Sequence, residues 1–495
     1  MRFSSSRLAA YELARIEALD QLTLPSLRPG RWRTAVWCHR VEAYEATRQR
    51  HIEHLLPQIG EHLERVTWTA ERLHAERTAQ LRELIGMAVR RSPWHRDRLG
   101  EVDLTTLDAD DVRHLPVMTK GDLMDNFDAI VTDPEVRLVD VNAHIAKLEG
   151  DAYFRDELHA VASGGSSGMR GVFVWGWEAW ATVQLTAIRR SLLDRIGDPE
   201  LASLPPVAMI VAAENATHFT SASSETFATG AIETHRFRVG LPVEEIVTGL
   251  NSVGGYTLAT YPSMLARLVG EARAGRLQIQ PRRILTMAEP LLPETRQAAE
   301  ETWHAPVANM WGTSEAGVTA IGCFKGTGMH LTDDLVIVEA VDANGEPVQA
   351  GVRSHKVYVT NLFNPLMPLI RYEISDEVTL LDEPCACGSV HQRIADIEGR
   401  NDDIFVYGDG VSVHPHLFRS ILGREPAISE YQVQQTRAGA EIVVCAHGAF
   451  DVESLNRKLG EALVRSGCPE PAVTVTVVGS IPRLATGKLK RFLVL

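Results

Sequence analysis

The spacing of hydrophobic positions changes along the chain and predicts helices in the first 92 or so residues. In "TAERLHAERTAQLRELIGMAVRRSPW", Thr69 is placed to cap a helix and Pro93 to end it. Six apolar residues fall on one face of that helix: Leu73, Leu81, Leu84, Ile85, Ala88 and Val89. The simplest interpretation is a helix packed on the main body of the protein.

From about residue 115 to 395, short apolar runs alternate with helical patterns. "PPVAMIVAA" and "GYTLATYP" are typical of buried strands, whereas "SMLARLVGEARAG" predicts a helix that ends at Gly275. "DDLVIVEAVDANGEPV", with its Asn-Gly turn, and "SHKVYVTNLF" predict a β-rich segment. This alternation predicts an α/β fold in layers.

The pattern restarts after "GRNDD" at residues 399–403. Strand-like "EIVVCAH" and "AVTVTVVG" flank helix-like "DVESLNRKLGEALVRSG", which predicts a small α+β unit. We therefore divide the chain into a helical N-terminal extension (1–70), a large α/β domain with a β-rich subdomain (71–400) and a small C-terminal domain (401–495).

The bulk composition narrows the classes of function. A chain of 495 residues is longer than a single hydrophobic core usually accommodates, so more than one domain is expected. Its 50 basic and 64 acidic residues give a net charge of −14, which argues against a nucleic-acid binder. The N-terminus lacks the apolar segment of a secretory signal, and the apolar runs are too short to cross a bilayer. We expect a cytoplasmic protein without a membrane partner, and a homodimer is left open.

The stretch "ASGGSSGMRG" at residues 162–171 is rich in glycine and serine. Apolar "ELHAVA" and "VFVWG" on either side predict strands, and the next helical pattern starts only near Glu178. A Walker loop requires a lysine followed directly by a helix, so that interpretation fails. A plain hairpin loop and a loop that holds phosphate through backbone N–H groups and hydroxyls both remain.

Four further stretches follow it: "MWGTSEAG" (310–317), "PLIRYEISDEV" (368–378), "IEGRNDDIF" (397–405) and "IPRLATGKLKR" (481–491). In this order, the five motifs resemble those of the adenylate-forming superfamily of acyl-CoA synthetases, peptide-synthetase adenylation domains and luciferases. "RRSPWHRDRL", "LPVMTKGDLMDNFDAIV" and "GMHLTDD" are similar to signatures of its phenylacetate-CoA ligase branch. The resemblance covers roughly residues 70 to 495.

The resemblance implies ATP- and Mg²⁺-dependent activation of an organic carboxylic acid, expected to be aromatic, as an acyl-adenylate, followed by transfer to CoA. It implies that the loop Ser163, Gly164, Gly165, Ser166, Ser167 and Gly168 holds the β- and γ-phosphates. Thr313 would contact the α-phosphate, and Glu315 would bind Mg²⁺. Lys488 would bridge the acid and the α-phosphate.

The remaining nucleotide contacts also follow from the resemblance. Trp311, with Gly312, would lie against the adenine, Asp376 would accept both ribose hydroxyls, and Arg400 would lie near ribose or phosphate. Ala288, Glu289 and Pro290 stand where relatives have an adenine-side turn. Asp402 would be the hinge about which the small, mobile domain rotates.

Each of these residues also has an ordinary structural interpretation. Glu315 is also typical of a helix start, Asp376 of a turn, and Lys488 of a solvated tail. The joint match of the motifs favours the functional interpretation.

Two cysteines, Cys385 and Cys387, stand in "EPCACGS", and Cys323 and His330 stand upstream in "GCFKGTGMH". If the β-rich region folds back, three thiolates and one imidazole match a closed tetrahedral Zn²⁺ site with a structural role, and branch members often carry comparable cysteines. Buried reduced thiols are the alternative.

Some positions depart from the family pattern. Met169 and Arg170 replace the usual lysine and proline after the loop, and Arg170 is a candidate to supply the missing positive charge. Met287 replaces a glycine, and His414 and His416 lie on the expected route of the second substrate. The acid is expected near the segments 218–220 and 261–263.

These departures and the long N-terminal extension fit an enzyme of specialised metabolism. An amine, a carrier-protein thiol or nitrite, which would give a diazo group, stays open as the acceptor in place of CoA. A non-catalytic nucleotide-binding relative is the third hypothesis, and retention of Glu315, Asp376 and Lys488 argues against it.

Overall fold

The computed structural model describes most of the chain. The described residues are 35–163, 170–204, 207–212, 219–227, 233–253, 255–397, 403–413, 415–423, 425, 427–446, 448–484 and 489–495. Among them, no helix combines the length and the apolar character needed to cross a bilayer.

Fifteen α-helices lie in these residues: α1 (Ala35–Leu55), α2 (Ile59–Arg65), α3 (Ala70–Arg91), α4 (Pro93–Leu99), α5 (Lys120–Asp125), α6 (Phe127–Ile130), α7 (Leu138–Ile145), α8 (Trp177–Gly197), α9 (Pro199–Ser203), α10 (Phe219–Thr226), α11 (Val243–Val253), α12 (Pro262–Arg273), α13 (Pro293–Trp303), α14 (His416–Leu422) and α15 (Val452–Arg465). Short 3₁₀ turns occupy Leu56–Gln58, Ala109–His114 and Gly408–Gly410.

The described residues also form twenty strands: β1 (His159–Ala162), β2 (Val172–Trp175), β3 (Val207–Ala212), β4 (Glu233–Arg238), β5 (Thr257–Thr260), β6 (Arg283–Met287), β7 (Val307–Thr313), β8 (Gly317–Gly322), β9 (Met329–Leu331), β10 (Val336–Val341), β11 (Lys356–Asn361), β12 (Tyr372–Ile374), β13 (Leu380–Leu381), β14 (Arg393–Ile394), β15 (Phe405–Val406), β16 (Ser412–Val413), β17 (Ile428–Thr436), β18 (Gly439–Ala446), β19 (Ala472–Val477) and β20 (Phe492–Leu493). The predicted α/β class is confirmed.

The helix predicted after Thr69 is confirmed as α3. The Thr69 hydroxyl oxygen accepts a hydrogen bond from the Arg72 backbone N–H at 3.3 Å. Of the six predicted core positions, Val89 is only half-buried, whereas the other five are buried. Pro93 does more than end α3, because it is the first residue of α4, which the Ser92 side chain caps.

The large domain is organised around a nine-stranded mixed sheet with the order β13-β14-β9-β8-β7-β6-β5-β3-β4. Strands β4, β3, β5, β6 and β7 run parallel, and the sheet turns antiparallel at the β7–β8 hairpin. Helices α11, α12 and α13 connect or follow the parallel strands and bury their apolar faces against them. The sheet therefore presents the ends of β5, β6 and β7 side by side at one edge.

A second, three-stranded antiparallel sheet, β10-β11-β12, forms the predicted β-rich subdomain. Its inner face, the β1–β2 hairpin and α8 share one apolar core with the β7–β8 side of the large sheet. This core brings Phe173 of β2, Trp311 of β7 and Tyr372 of β12 into a single cluster. Residues from separate sheets therefore meet close to the carboxyl ends of the parallel strands.

The residues after Asp403 form a four-stranded sheet, β19-β18-β17-β20, covered by α14 and α15. They have an apolar core of their own that runs from Phe405 to Phe492. The boundary predicted near residue 400 falls in residues 398–402, outside the described part of the chain, so the domain limits and the hinge at Asp402 stay predictions.

A buried ion pair joins α8 to the segment before β10. Both carboxylate oxygens of Asp334 accept hydrogen bonds from Arg189, at 2.6 and 2.7 Å, and Asp334 is fully buried. Arg65 of α2 approaches the same carboxylate at 3.9 Å. Burial alone would raise the pKa of Asp334, but the Arg189 charge and its hydrogen bonds outweigh burial and hold the pKa well below its usual range.

We expect Asp334→Asn to lower the free energy of unfolding at pH 7 by about 3–5 kcal/mol, because it leaves the buried Arg189 guanidinium without its counter-charge. A carboxylate with a depressed folded-state pKa stabilises the protein above its unfolded-state pKa of about 4 and loses that contribution as the pH falls further. The difference between the variant and the wild type should therefore narrow below about pH 4. Urea unfolding across pH measures this, and a difference independent of pH would contradict it.

Asp128→Asn is the matched control for this substitution. Asp128 pairs with Arg137 at 2.6 Å on the protein surface, where solvent screens the charges. Its effect on stability should be much smaller than that of Asp334→Asn.

Candidate active site

Three predicted site segments lie at the carboxyl ends of neighbouring parallel strands. Thr260 of β5 pairs with Thr286 of β6, and Met287 of β6 pairs with Met310 of β7. The segments 261–263, 288–290 and 311–315 therefore lie beside one another at the carboxyl edge of the sheet, where open α/β sheets bind ligands.

The indole of Trp311 and the carboxylate of Asp376 are in direct contact. Trp311 Nε1 donates a hydrogen bond to Asp376 Oδ2 at 2.8 Å, and the two residues are 5% and 3% exposed. Trp311 belongs to the nine-stranded sheet, whereas Asp376 follows β12 of the three-stranded sheet. Because the indole N–H holds one carboxylate oxygen, Asp376 has a defined orientation at this edge.

Thr313 and Glu315 lie at the tip of the β7–β8 hairpin, whose turn is residues 314–316. The Thr313 hydroxyl oxygen accepts from the Ala316 N–H at 3.0 Å, and Gly317 closes the turn with φ of +69°, a conformation that favours glycine. The interpretation of Glu315 as a helix start is therefore wrong, because the residue lies in a strand-to-strand turn.

Glu315 is half-buried beside the second sheet. Its backbone carbonyl accepts from the Asn361 side-chain amide at 3.2 Å. Burial, and then the Glu315 charge, raises the pKa of Tyr372 well above its usual value. The ring of Tyr372 also meets that of Phe173 of β2 edge-on, with the ring centroids 6.5 Å apart.

Phe173 belongs to the predicted strand–loop–strand unit, and that unit is confirmed. Strands β1 and β2 pair antiparallel, and Ser163 closes their loop because its N–H donates to Gly171 O at 2.9 Å and its Oγ accepts from Gly171 N at 2.8 Å. Residues 164–169, which include Gly164, Gly165, Ser166, Ser167, Gly168 and Met169, lie outside the described residues. Arg170 is described and is exposed.

The turn of Ala288, Glu289 and Pro290 has an unusual backbone and a buried carboxylate. Ala288 has φ of +68°, and Glu289 is 8% exposed. Glu289 accepts hydrogen bonds from the backbone N–H and the hydroxyl of Ser263, at 3.0 and 3.1 Å, and from the Leu489 N–H at 2.8 Å. The sequence associated this turn with the adenine, and these protein contacts of the Glu289 carboxylate were not predicted.

Several predicted residues lie outside the described part of the chain: Lys488, Arg400, Asp402, His218 and His414. We call residues 483–489 the Lys488 segment; its ends, Arg483, Leu484 and Leu489, are described. Arg483 Nη1 donates to Ser263 Oγ at 2.9 Å, and Arg483 also pairs with Glu430 of β17. Sequence reasoning missed Ser263 and Arg483 as partners, since nothing in a single sequence links residues 220 positions apart.

The predicted metal ligands come together in space. Cys385 Sγ lies 3.7 Å from Cys323 Sγ, and Cys387 Sγ lies 3.4 Å from His330 Nε2. The ligand atoms of the four residues all lie within 4.8 Å of one another. Hydrogen bonding with Cys323, followed by His330, lowers the pKa of the Cys387 thiol, and the same bond with Cys387 raises the pKa of Cys323.

Strand pairing explains how these ligands meet. His330 lies on β9, which pairs with β14 through His330 and Arg393, and Cys385 and Cys387 lie between β13 and β14. Gly328, with φ of +78°, is required before β9, because a Cβ there would approach the Ile394 carbonyl oxygen at 2.6 Å. His330 Nδ1 faces the His391 carbonyl at 3.4 Å, which is the kind of contact that orients a metal-binding imidazole.

Two cavities lie away from this edge. A cavity of about 740 Å³ lies at the opposite ends of β6 and β7, where Arg283 begins β6 and Pro306 precedes β7. Another, of about 850 Å³, lies between α12, α13 and the small domain. Neither is lined by Trp311, Glu315 or Asp376, so the candidate site is defined by the polar side chains at the carboxyl edge.

Comparisons with known proteins give one curated relative and several structures. No family model matches the chain. The chain is 32% identical over 233 residues to phenylacetate-coenzyme A ligase of Thermus thermophilus, a match that covers 42% of this chain. It spans about half, 52%, of the length of that relative.

The solved structures include 2-hydroxyisobutyryl-CoA ligase in two states. In the postadenylation state in complex with R3-HIB-AMP, it matches with a TM-score of 0.67 and 19% identity over 87% of this chain and 91% of its own. In the thioesterification state with 2-HIB-AMP and CoA, the TM-score is 0.55 at 20% identity, with the same coverage of both chains. The chain therefore superposes more closely on the postadenylation structure than on the thioesterification structure.

The chain has the fold of the adenylate-forming CoA ligases. Over 233 residues its sequence resembles that of phenylacetate-CoA ligase, and the resemblance predicted from the motifs is confirmed.

Proposed function

We propose that the protein activates an organic acid, aromatic by analogy with its curated relative, as an acyl-adenylate and transfers the acyl group to CoA. The observation that carries the proposal is the buried hydrogen bond between Trp311 and Asp376, which joins two sheets beside the Thr313–Glu315 turn. An indole, a carboxylate, a hydroxyl and a second carboxylate lie at the edge where α/β sheets bind nucleotides.

The proposed chemistry has two steps. In the first, a carboxylate oxygen of the acid attacks the α-phosphorus of ATP, and the bond to the β-phosphate breaks to release pyrophosphate. In the second, the thiolate of CoA attacks the acyl carbon and AMP leaves. Both steps develop negative charge that fixed donors stabilise best.

We assign the residues by the motifs they match. Asp376, oriented by the Trp311 N–H, would accept the ribose hydroxyls, and Thr313 would donate to the α-phosphate. Glu315 would bind Mg²⁺, which neutralises phosphate charge when bound. The Ser163–Gly168 loop would enclose the outer phosphates with Arg170 at its end, and Lys488 would contact the acid and the α-phosphate.

ATP–pyrophosphate exchange across a panel of carboxylic acids tests the first step. We expect exchange with at least one aromatic acid, and CoA should then release the acyl-CoA and AMP in equal amounts. Parallel reactions with an amine or nitrite in place of CoA identify the acceptor by mass spectrometry. ATP binding without exchange for any acid would contradict the proposal and favour a non-catalytic relative.

We expect Trp311→Phe to raise the KM for ATP by roughly 3- to 10-fold, which corresponds to one lost hydrogen bond. Phenylalanine retains an aromatic ring but removes the N–H that orients Asp376. Initial rates at varied ATP concentration measure this effect. Trp303→Phe, on α13 beside the opposite edge of the sheet, is the control, and an equal rise in both variants would refute the orienting role.

We also propose that Cys323, His330, Cys385 and Cys387 bind a structural Zn²⁺ ion. Ligands about 2.3 Å from a common tetrahedral centre lie roughly 3.8 Å apart. The 3.7 Å between Cys385 Sγ and Cys323 Sγ, and the 3.4 Å between Cys387 Sγ and His330 Nε2, agree with that spacing. Because four protein ligands fill the tetrahedron, we infer a stabilising rather than a catalytic role.

A further inference from the structure

Helix α12 begins beside the candidate active site without a side-chain cap of its own. Its N-cap residue is Tyr261, which provides no capping hydrogen bond, and Pro262 follows as the first helical residue. The carboxylate of Glu289 takes over this role, because it accepts both the N–H and the hydroxyl of Ser263. A negative charge at a helix N-terminus is also favoured by the helix dipole.

The same carboxylate reaches the small domain. Glu289 Oε1 accepts the Leu489 N–H at 2.8 Å, while the Leu489 side chain packs with Cys445 and Ile481 of the small domain. Leu489 is covalently joined to Lys488, the residue to which we assign contact with the acid and the α-phosphate. One end of the Lys488 segment is therefore bonded to the large domain next to the proposed ATP site.

The other end of this segment is held by Arg483. Its guanidinium donates to Ser263 Oγ at 2.9 Å and pairs with Glu430 of β17, and Ser263 and Glu430 are 0% and 1% exposed. The Ser263 hydroxyl thus accepts from Arg483 and donates to Glu289 at 3.1 Å. We call this network of Ser263, Glu289, Arg483 and the Leu489 N–H the interdomain latch; Glu430 pairs with Arg483 within the small domain and is not part of it.

We propose that the interdomain latch positions the Lys488 segment for adenylate formation and is not needed for transfer to CoA. The proposal rests on the proposed function. Every link of the latch between the domains requires the present arrangement, which is more similar to the postadenylation than to the thioesterification structure of 2-hydroxyisobutyryl-CoA ligase, with TM-scores of 0.67 and 0.55. A rotation of the small domain would separate Leu489 from Glu289 and Arg483 from Ser263.

The decisive variant is the double substitution Arg483→Met with Glu430→Gln. It removes the link to Ser263 without leaving the buried Glu430 carboxylate unpaired. The single substitution Glu430→Gln, which retains the Arg483–Ser263 hydrogen bond, is the matched control. Glu289→Gln is a second test, because one amide oxygen cannot replace the two carboxylate oxygens that Ser263 and Leu489 share.

Separate assays of the two half-reactions distinguish positioning from a general structural role. We expect the double variant and Glu289→Gln to lower the rate of adenylate formation roughly 10- to 100-fold, while the reaction of supplied acyl-adenylate with CoA stays within about twofold of wild type. Unchanged adenylate formation overturns the proposal. Equal losses in both half-reactions also overturn it, because they indicate a structural role alone.

Hydrogen exchange measured by mass spectrometry tests the latch without catalysis. In the free protein, the Leu489 amide should exchange at least about tenfold faster in both test variants, whereas the amides of β17 and β18 keep their protection. Unchanged exchange at Leu489 overturns the latch. If the wild-type protein forms no adenylate with any acid, the proposed function fails. The hydrogen-exchange result alone then still decides whether these residues hold the Lys488 segment.

Discussion

Lys488→Ala is expected to reduce ATP–pyrophosphate exchange by about 100- to 1000-fold, the loss typical of removing one electrostatic group that stabilises the transition state. The motif match assigns the Lys488 ammonium to the acid and the α-phosphate, where negative charge develops. The hydrogen bond from the neighbouring Leu489 N–H to Glu289 is consistent with that assignment, because it attaches this part of the chain to the carboxyl edge. The assay uses an acid that the wild-type enzyme activates, at saturating ATP.

Lys490→Ala provides the matched control, since it removes the same charge two residues further along the chain. We expect it to retain most of the exchange activity. Thermal unfolding followed by circular dichroism should show that both variants are folded. Exchange by Lys488→Ala within tenfold of the wild type would refute the role assigned to this lysine.

The second large effect is expected at the cysteine cluster. Cys385→Ser should lower the bound zinc from about one equivalent to nearly none, and should reduce the free energy of unfolding by about 3 kcal/mol or more, because metal binding contributes directly to folding. The site joins the loop after β8 to the loop between β13 and β14. Metal analysis and chemical unfolding measure the two effects.

Cys468→Ser controls for the cost of placing a hydroxyl group where a thiol was buried. Cys468 is 3% exposed in the core of the small domain, away from the four ligands. The Cys468→Ser variant should lose some stability but retain its bound zinc. Wild-type protein purified without zinc, or Cys385→Ser with undiminished zinc, would refute the metal site.

Elements with a clear hydrophobic period could be predicted from the sequence. The helix after Thr69, the strands around "VAMIVA" and "TLAT", and the strands on both sides of the glycine-serine loop form as expected. These patterns indicate which face of each element is buried, because the spacing of apolar residues within a short window follows the period of the helix or strand. The order of strands in the nine-stranded sheet is a property of distant pairing and was not predicted.

In the candidate site, too, some features could be predicted from the sequence and contacts between distant residues were missed. The meeting of Cys323 and His330 with the two later cysteines was predicted on the condition that the β-rich region folds back, and the β9–β14 pairing provides this. The Glu289 contacts were missed, because the turn motif indicates where the backbone goes and not which N–H groups a buried carboxylate will bind. A glutamate within an otherwise apolar run is the signal that could have predicted such contacts, because a buried carboxylate needs hydrogen-bond donors.

The change of strand direction at β7 limits how this chain can vary. A parallel strand would be followed by a crossover, whose length tolerates insertions. Strand β7 instead carries a bulge at Trp311 and Gly312 and is followed by a turn of only three residues. Because β7 is also paired with β6, inserting or deleting one residue in this turn would shift β8 against β7 and turn the side chains of β8 to the opposite face of the sheet. Diversification of this protein should therefore proceed by substitution within the turn, while changes in length accumulate in other loops.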